Sequence, residues 1–168
     1  MPSTYEKIAT TTLGSAAADV TFSSISGAYT DLVLVMNLGA SSLTGSVSVQ
    51  ANSDTGANYS GVIIKGSGTA ATSNYYNNHT SYLPMWLTCP DSNLTSNIIM
   101  NIMNYSNTTT YKTMIARGNR GSDSNTPGTE AGVGQWRNTA AITSLKIFVS
   151  GNIITGSTFT LYGILKAA

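Results

Sequence analysis

The most apolar stretch of the chain is Asp31–Leu38, in which six of the eight residues are aliphatic or methionine. As a β-strand it would extend about 26 Å. A run that is apolar on both faces does not fit a strand with one face in water. It predicts a central strand covered on both sides, or a strand whose outer face meets another subunit.

The rest of the chain predicts shorter strands, separated by turns rich in Gly, Ser and Asn. Val47 and Val49 alternate with serine, and Pro84 favours an edge position for its strand. The predicted strands cover residues 5–13, 19–22, 29–38, 45–51, 59–65, 82–89, 94–105, 111–117, 133–137, 141–149 and 159–165. This pattern predicts an all-β fold, a sandwich or barrel. We expect one antiparallel β-sandwich over residues 1–168, of jelly-roll type, because a strand at each end of the chain is common in that topology.

Two long segments predict loops. Residues 69–82 are polar and aromatic, and residues 118–134 are dense in Gly, Ser, Asn, Asp and Pro. Loops of this length in a compact domain are usually functional. The segment from Arg117 to Gly121 places two cations among glycines, which could meet an acidic partner or form a solvated turn.

The most informative feature of the composition is its low content of charged residues. Only 9% of the 168 residues are charged, far below the usual quarter, so partners could cover much of the surface. The net charge is +1 and no basic stripe exists, which argues against a nucleic-acid partner. No apolar run reaches about 18 residues, so no membrane span is expected.

Candidate chemistry is sparse. His79 and Cys89 are each the single residue of their type. A catalytic triad would have to use His79, no Gly-X-Ser-X-Gly motif exists, and Cys89 is expected to be a buried thiol. The Asn52-X-Asp54-X-Gly56 segment has only a fragment of a calcium loop. We therefore predict no catalytic residue, no cofactor and no metal site.

Aromatic side chains are the better candidates for contacts. Tyrosine in a loop is common at protein and carbohydrate interfaces. The candidate partner or ligand contacts are Tyr75, Tyr76, His79, Tyr82 and Trp86. In the alternative interpretation, Tyr82 and Trp86 are core residues and the Tyr75–Tyr76 pair covers the core.

Several segments carry a resemblance to known proteins. The opening segments YEKIATTTLGS (5–15), VTFSSI (20–25) and YTDLVL (29–34) resemble virion structural proteins of tailed phages, notably phages of aquatic bacteria. Residues 52–60, 108–118, 136–144 and 156–164 resemble the same group, so the similarity covers nearly the whole chain. Related segments also occur within longer fibre-like phage proteins. The resemblance implies a β-sandwich module in an oligomeric particle, and it supplies no catalytic motif.

The expected function is therefore non-enzymatic. We expect a capsid decoration or cement protein on the outer surface of a phage head, made in the host cytoplasm. Its partners would be the major capsid protein and further copies of itself, as a homotrimer. An extended arm at residues 1–7, or the 69–82 segment, could reach a neighbour.

Two alternatives remain open. One is a host-recognition module of a tail or head fibre, binding sugar through Tyr75, Tyr76 and Trp86. The other is a glycan hydrolase, which needs two carboxylates facing one sugar ring.

Overall fold

The computed structural model describes residues 4–41, 46–85, 94–120 and 128–165. These residues form strands and turns without a helix, so the prediction of an all-β fold is confirmed. The strands are β1 Tyr5–Thr12, β2 Ala17–Phe22, β3 Asp31–Leu38, β4 Val47–Ala51, β5 Tyr59–Gly66, β6 Ala71–His79, β7 Tyr82–Met85, β8 Ser96–Met103, β9 Lys112–Arg120, β10 Gly128–Trp136, β11 Leu145–Ile153 and β12 Thr158–Ile164.

The strands form two antiparallel sheets. The eight-stranded sheet has the order β1-β12-β3-β8-β9-β10-β5-β6, and the four-stranded sheet has the order β2-β11-β4-β7. Four pairs are nested along the chain, since β1 pairs with β12, β2 with β11, β3 with β8 and β4 with β7. Such nesting supports the jelly-roll topology, which stays a prediction. The β5–β6 and β9–β10 hairpins widen the larger sheet beyond β8.

One hydrophobic core joins the two sheets. Side chains alternate across a strand, so β3 turns Leu32, Leu34 and Met36 inward with no exposed surface. Val49 of β4 and Ile147 of β11 belong to the same buried cluster. Each such side chain stabilises the fold by about 1.5–3 kcal/mol. The two sheets therefore form a sandwich, as predicted.

Strand β3 lies inside the larger sheet, between β12 and β8, as its apolar sequence predicts. Its outward side chains differ in solvent exposure: Val33 is buried, whereas Val35 is 37% exposed. The chain itself therefore covers the outer face of β3 only in part. The second prediction for this strand, that its outer face meets another subunit, stays a prediction.

The prediction of a loop over residues 69–82 is wrong. Strand β6 pairs with β5, placing Tyr75 opposite Val62 and Tyr76 opposite Gly61. Strand β6 lies at the edge of its sheet, and Tyr76 is its one buried residue. An edge strand with so little buried surface lacks the apolar alternation by which a strand is recognised.

The loop predicted over residues 118–134 is also largely wrong. Strand β9 continues to Arg120 and β10 begins at Gly128, while residues 121–127 lie outside the described part. The glycines of β10 look like turn signals but lie within the sheet. At Gly134 a side chain would overlap the ring of Tyr82, so glycine is required there by close packing.

Strand ends were predicted less accurately than strand positions. Strand β7 is at the edge of the four-stranded sheet, which confirms the prediction from Pro84. Strand β11 starts at Leu145 and not at residue 141, because the preceding turn is held by Asn52, whose Oδ1 accepts the Thr143 N–H at 2.8 Å. Within the predicted arm at residues 1–7, Tyr5, Glu6 and Lys7 are strand residues paired with β12. Residues 1–3 lie outside the described part.

Candidate functional site

The largest group of exposed apolar side chains lies on the outer face of the eight-stranded sheet. Strand alternation separates Ile63, which is buried in the core, from Val62 and Ile64, which are 51% and 61% exposed. Among the described residues, eight of the nine large hydrophobic side chains with high exposure lie on this face. They are Tyr5, Val35, Val62, Ile64, Tyr75, Met103, Ile115 and Val133.

The pairing register places six of these side chains, together with four neighbouring residues, in two rows across the strands. The first row contains Val35, Ile99, Arg117, Ala131 and Ile64. The second row contains Asn101, Ile115, Val133, Val62 and Tyr75. With strands about 4.8 Å apart, each row extends about 19 Å. We call these ten residues the apolar patch.

The patch is shallow and concave at its centre. A depression with a volume of about 360 Å³ lies over β8, β9, β10 and β5, lined by aliphatic side chains such as Ile99, Ile115 and Val133. Monomeric proteins rarely expose contiguous apolar patches larger than a few hundred Å² unless the patch is an interaction site. The patch is therefore the candidate site of this protein.

Polar residues border the patch on both sides. On one side Asn37 Nδ2 donates to Asn97 Oδ1 at 2.7 Å, and the Asn97 N–H donates to Asn119 Oδ1 at 3.0 Å. On the other side Thr113 and Ser60 flank Gln135 in the register. An apolar centre with a polar rim is the usual organisation of a protein–protein interface.

Arg117 is the one charged residue of the patch. It is exposed, and its neighbours across the sheet are Ile99 and Ala131. No acidic side chain pairs with it within the described part of the chain. An uncompensated guanidinium thus lies at the centre of an aliphatic surface.

The outer face of the four-stranded sheet has a different character. Here Lys146 Nζ lies 3.4 Å from Asp19 Oδ2, and 5.6 Å from the centre of the Phe148 ring. The cation on this face is therefore compensated by a neighbouring carboxylate.

The aromatic residues that were predicted to contact a partner differ in their exposure to solvent. Tyr75 is 79% exposed on the outer face, whereas the adjacent Tyr76 is in the core, because successive strand residues point to opposite faces. Tyr82 is fully buried and donates its hydroxyl to the Gly132 carbonyl at 3.3 Å. Burial raises the pKa of Tyr82 above its ordinary value. Tyr82 is thus a core residue and no surface contact.

His79 and Trp86 complete the nominated set. His79 is half-buried, with its ring 5.2 Å from that of Tyr76. Trp86 lies outside the described residues. Of the nominated residues that the structure describes, only Tyr75 belongs to the apolar patch.

The fragment of a calcium loop at residues 52–56 is a structural turn. Asp54 Oδ2 accepts the Trp136 Nε1–H at 2.6 Å, and Asp54 Oδ1 accepts the Gly56 N–H at 2.8 Å. Asn52 Nδ2 donates to the Ala141 carbonyl at 2.7 Å. These polar groups hold backbone segments together.

The described residues contain no group of three or more His, Cys, Asp and Glu placed to hold a metal ion. No helix among them is long and apolar enough to cross a membrane.

The apolar patch was not predicted from the sequence, although the sequence contains a signal for it. Adjacent apolar residues, such as Val62-Ile63-Ile64, Ile98-Ile99 and Met114-Ile115, occur where one face of the strand is core and the other carries the patch. Such pairs indicate a strand that is apolar on both faces. Only the register between strands shows that their outward members lie together.

Comparisons with known proteins add no relative. No protein-family model matches the chain, and no curated protein is similar to it.

Proposed function

We propose that this chain is a non-enzymatic structural protein of a tailed-phage virion, a decoration or cement protein that binds the outer surface of the head. The observation that carries the proposal is the apolar patch, an exposed interface-like surface on a rigid sheet. The low proportion of charged residues and the resemblance to virion structural proteins also support it.

The outer face is large enough for such a role. Eight strands extend about 34 Å across the sheet, and seven residues of each strand extend about 23 Å along it. The area of about 800 Å² is that of one side of a standard protein interface. The proposed occupant of this face is the major capsid protein.

Binding to the assembled lattice would stabilise the shell by mass action, because the chain would bind the shell and not its free subunits. Many repeated contacts then act together through multivalency. We further propose that the chain is a homotrimer, with its own subunit contacts on surfaces other than the patch.

The test uses phage heads that lack this chain. Adding the purified chain is expected to produce co-sedimentation with the heads, and to raise the temperature at which the shells open. The variant carrying both Val62→Lys and Ile64→Lys should lose both effects, since it places two charges on the patch. If the unaltered chain neither co-sediments nor changes the opening temperature, the proposal is wrong.

A further inference from the structure

We propose that Arg117 binds a carboxylate of the protein that covers the apolar patch. The partner would then carry an apolar surface with one acidic side chain opposite Arg117. This inference rests on the proposed function for the identity of the partner, and it specifies the chemistry of the contact.

When a partner covers the apolar patch, Arg117 at its centre needs a counter-charge. A partner that excludes water from Ile99, Ala131 and Ile115 also removes water from Arg117, which lies between Ile99 and Ala131 in the register and next to Ile115 on the same face of β9. Burying a charge without a counter-charge is strongly unfavourable. A guanidinium presents a planar fork of donors that matches a carboxylate in a bidentate pair. The covering surface must therefore supply the acceptor that the described part of the chain does not.

The surroundings of Arg117 favour a protein carboxylate over a polyphosphate. Nucleic-acid surfaces need several cations, because affinity comes from the number of phosphates neutralised. Arg117 is the one cation of the patch, its neighbours in the row are aliphatic, and the net charge of the chain is +1. Arginine at the centre of an apolar contact is typical of protein–protein hot spots.

A second copy of this chain is a poorer occupant. Three described acids already have partners: Asp19 pairs with Lys146, Asp31 accepts the Asn104 N–H, and Asp54 accepts the Trp136 indole N–H. A fourth, Glu6, lies near Tyr29, and after burial its negative charge is a further cause that raises the pKa of Tyr29. The fifth, Glu130, is buried on the inner side. The remaining acids, Asp91 and Asp123, lie outside the described residues.

Symmetry also argues against a contact between two copies of this chain. Two copies laid patch against patch would bring two Arg117 side chains into one apolar interface. Like charges in such a contact repel each other. A different protein that carries a carboxylate satisfies the site without this repulsion.

The experiment measures binding of the purified chain to phage heads that lack it, for Arg117→Lys, Arg117→Met and Arg117→Glu. We expect Arg117→Met to weaken binding at least about 30-fold and Arg117→Glu more, because the partner carboxylate is left unpaired or repelled. Arg117→Lys keeps the charge but loses the fork, so it should lie between Arg117→Met and the unaltered chain.

Lys146→Met is the matched control, since it removes one cation from the opposite outer face. It should bind like the unaltered chain. All variants should unfold at the same urea concentration as the unaltered chain or close to it. A loss of binding can then be assigned to the lost contact, because the variants are folded.

The outcomes are distinguishable. If the unaltered chain binds no heads, the proposed function fails. If it binds, and Arg117→Met and Arg117→Glu bind as well as it does, the carboxylate contact is wrong while the function stands. If the chain instead forms oligomers in sedimentation that Arg117→Glu dissociates, the patch is an interface between copies, and the inference of a different partner is overturned.

Discussion

Asp54 links the turn after β4 to the last residue of β10. Its Oδ2 accepts hydrogen bonds from Trp136 Nε1 at 2.6 Å and from Asn58 Nδ2 at 2.9 Å. Asp54→Ala should lower the free energy of unfolding by about 2 kcal/mol, since the indole N–H loses its acceptor. Asp54→Asn keeps an amide oxygen and should cost less. Urea unfolding at pH 7 measures both, and equal stability of Asp54→Ala and the unaltered chain would contradict the role of this carboxylate.

Asp54 also makes the free energy of unfolding depend on pH. Partial burial acts to raise the pKa of Asp54, but hydrogen bonds from Asn58, Trp136, the Gly56 N–H and Asn138 outweigh it and hold the pKa below its ordinary value. The stabilisation is therefore complete above the pKa of the unfolded chain, about 3.9. It is lost as the pH falls through the lower, folded value. Urea unfolding between about pH 5 and pH 2 should show a smaller loss of stability for Asp54→Asn than for the unaltered chain.

Gly134 shows how closely the inner face of β10 is packed. A Cβ atom there would overlap the Tyr82 ring and lie 2.9 Å from the Tyr76 hydroxyl. Gly134→Ala should therefore destabilise the chain by about 1–3 kcal/mol, the typical cost of overpacking a core. Gly66→Ala in β5 is the matched control, because its Cβ would meet only Thr129 Cγ2 at 3.5 Å. Equal melting temperatures of the two variants would contradict this prediction, because they would mean that the Tyr82 ring can move aside for a Cβ atom at Gly134.

At the scale of one element, β5 has two apolar faces with different roles. Ile63 is fully buried, whereas its neighbour Val62 is 51% exposed. Ile63→Ala should cost about 2–5 kcal/mol of unfolding free energy, because it opens a cavity in the core. Val62→Ser should change it by only about 0.5 kcal/mol while weakening attachment to heads. Comparable losses of stability in the two variants would mean that the outer side chain also supports the fold.

The elements that the sequence predicted well carry local signals. Strand β3 is apolar at six positions, and Pro84 disfavours the interior of a sheet. Strand β6 has no such signal, because its polar residues are ordered by pairing with β5 at an edge. Whether a strand lies at the edge of a sheet depends on the pairing of all its strands, which periodicity along one strand does not report. This is why β6 was expected to be a loop.

The candidate site is harder to predict from sequence than the fold. Nothing local distinguishes Ile115 or Val133 from a core residue, and Arg117 lies in a glycine-containing segment that predicts a turn equally well. The three come together through the register of β9 and β10. Tyr75 and Tyr76 illustrate the same limit, because only the strand assignment shows that they point to opposite faces.

At the scale of the whole molecule, the two sheets are unequal. The hairpins β5–β6 and β9–β10 extend the larger sheet beyond β8, and the apolar patch lies mainly on these added strands. The hydrophobic core lies between the sheets and contains none of the ten residues of the apolar patch. An apolar surface that the fold itself does not require is best explained by a partner.

The most direct test of the proposed function is the copy number of this chain in purified phage particles, relative to the major shell protein, by quantitative mass spectrometry. A cement protein that covers the lattice should be present in a number comparable to that of the shell protein. A number far smaller would contradict the proposal and favour the fibre module, and absence of the chain from the particles would contradict both.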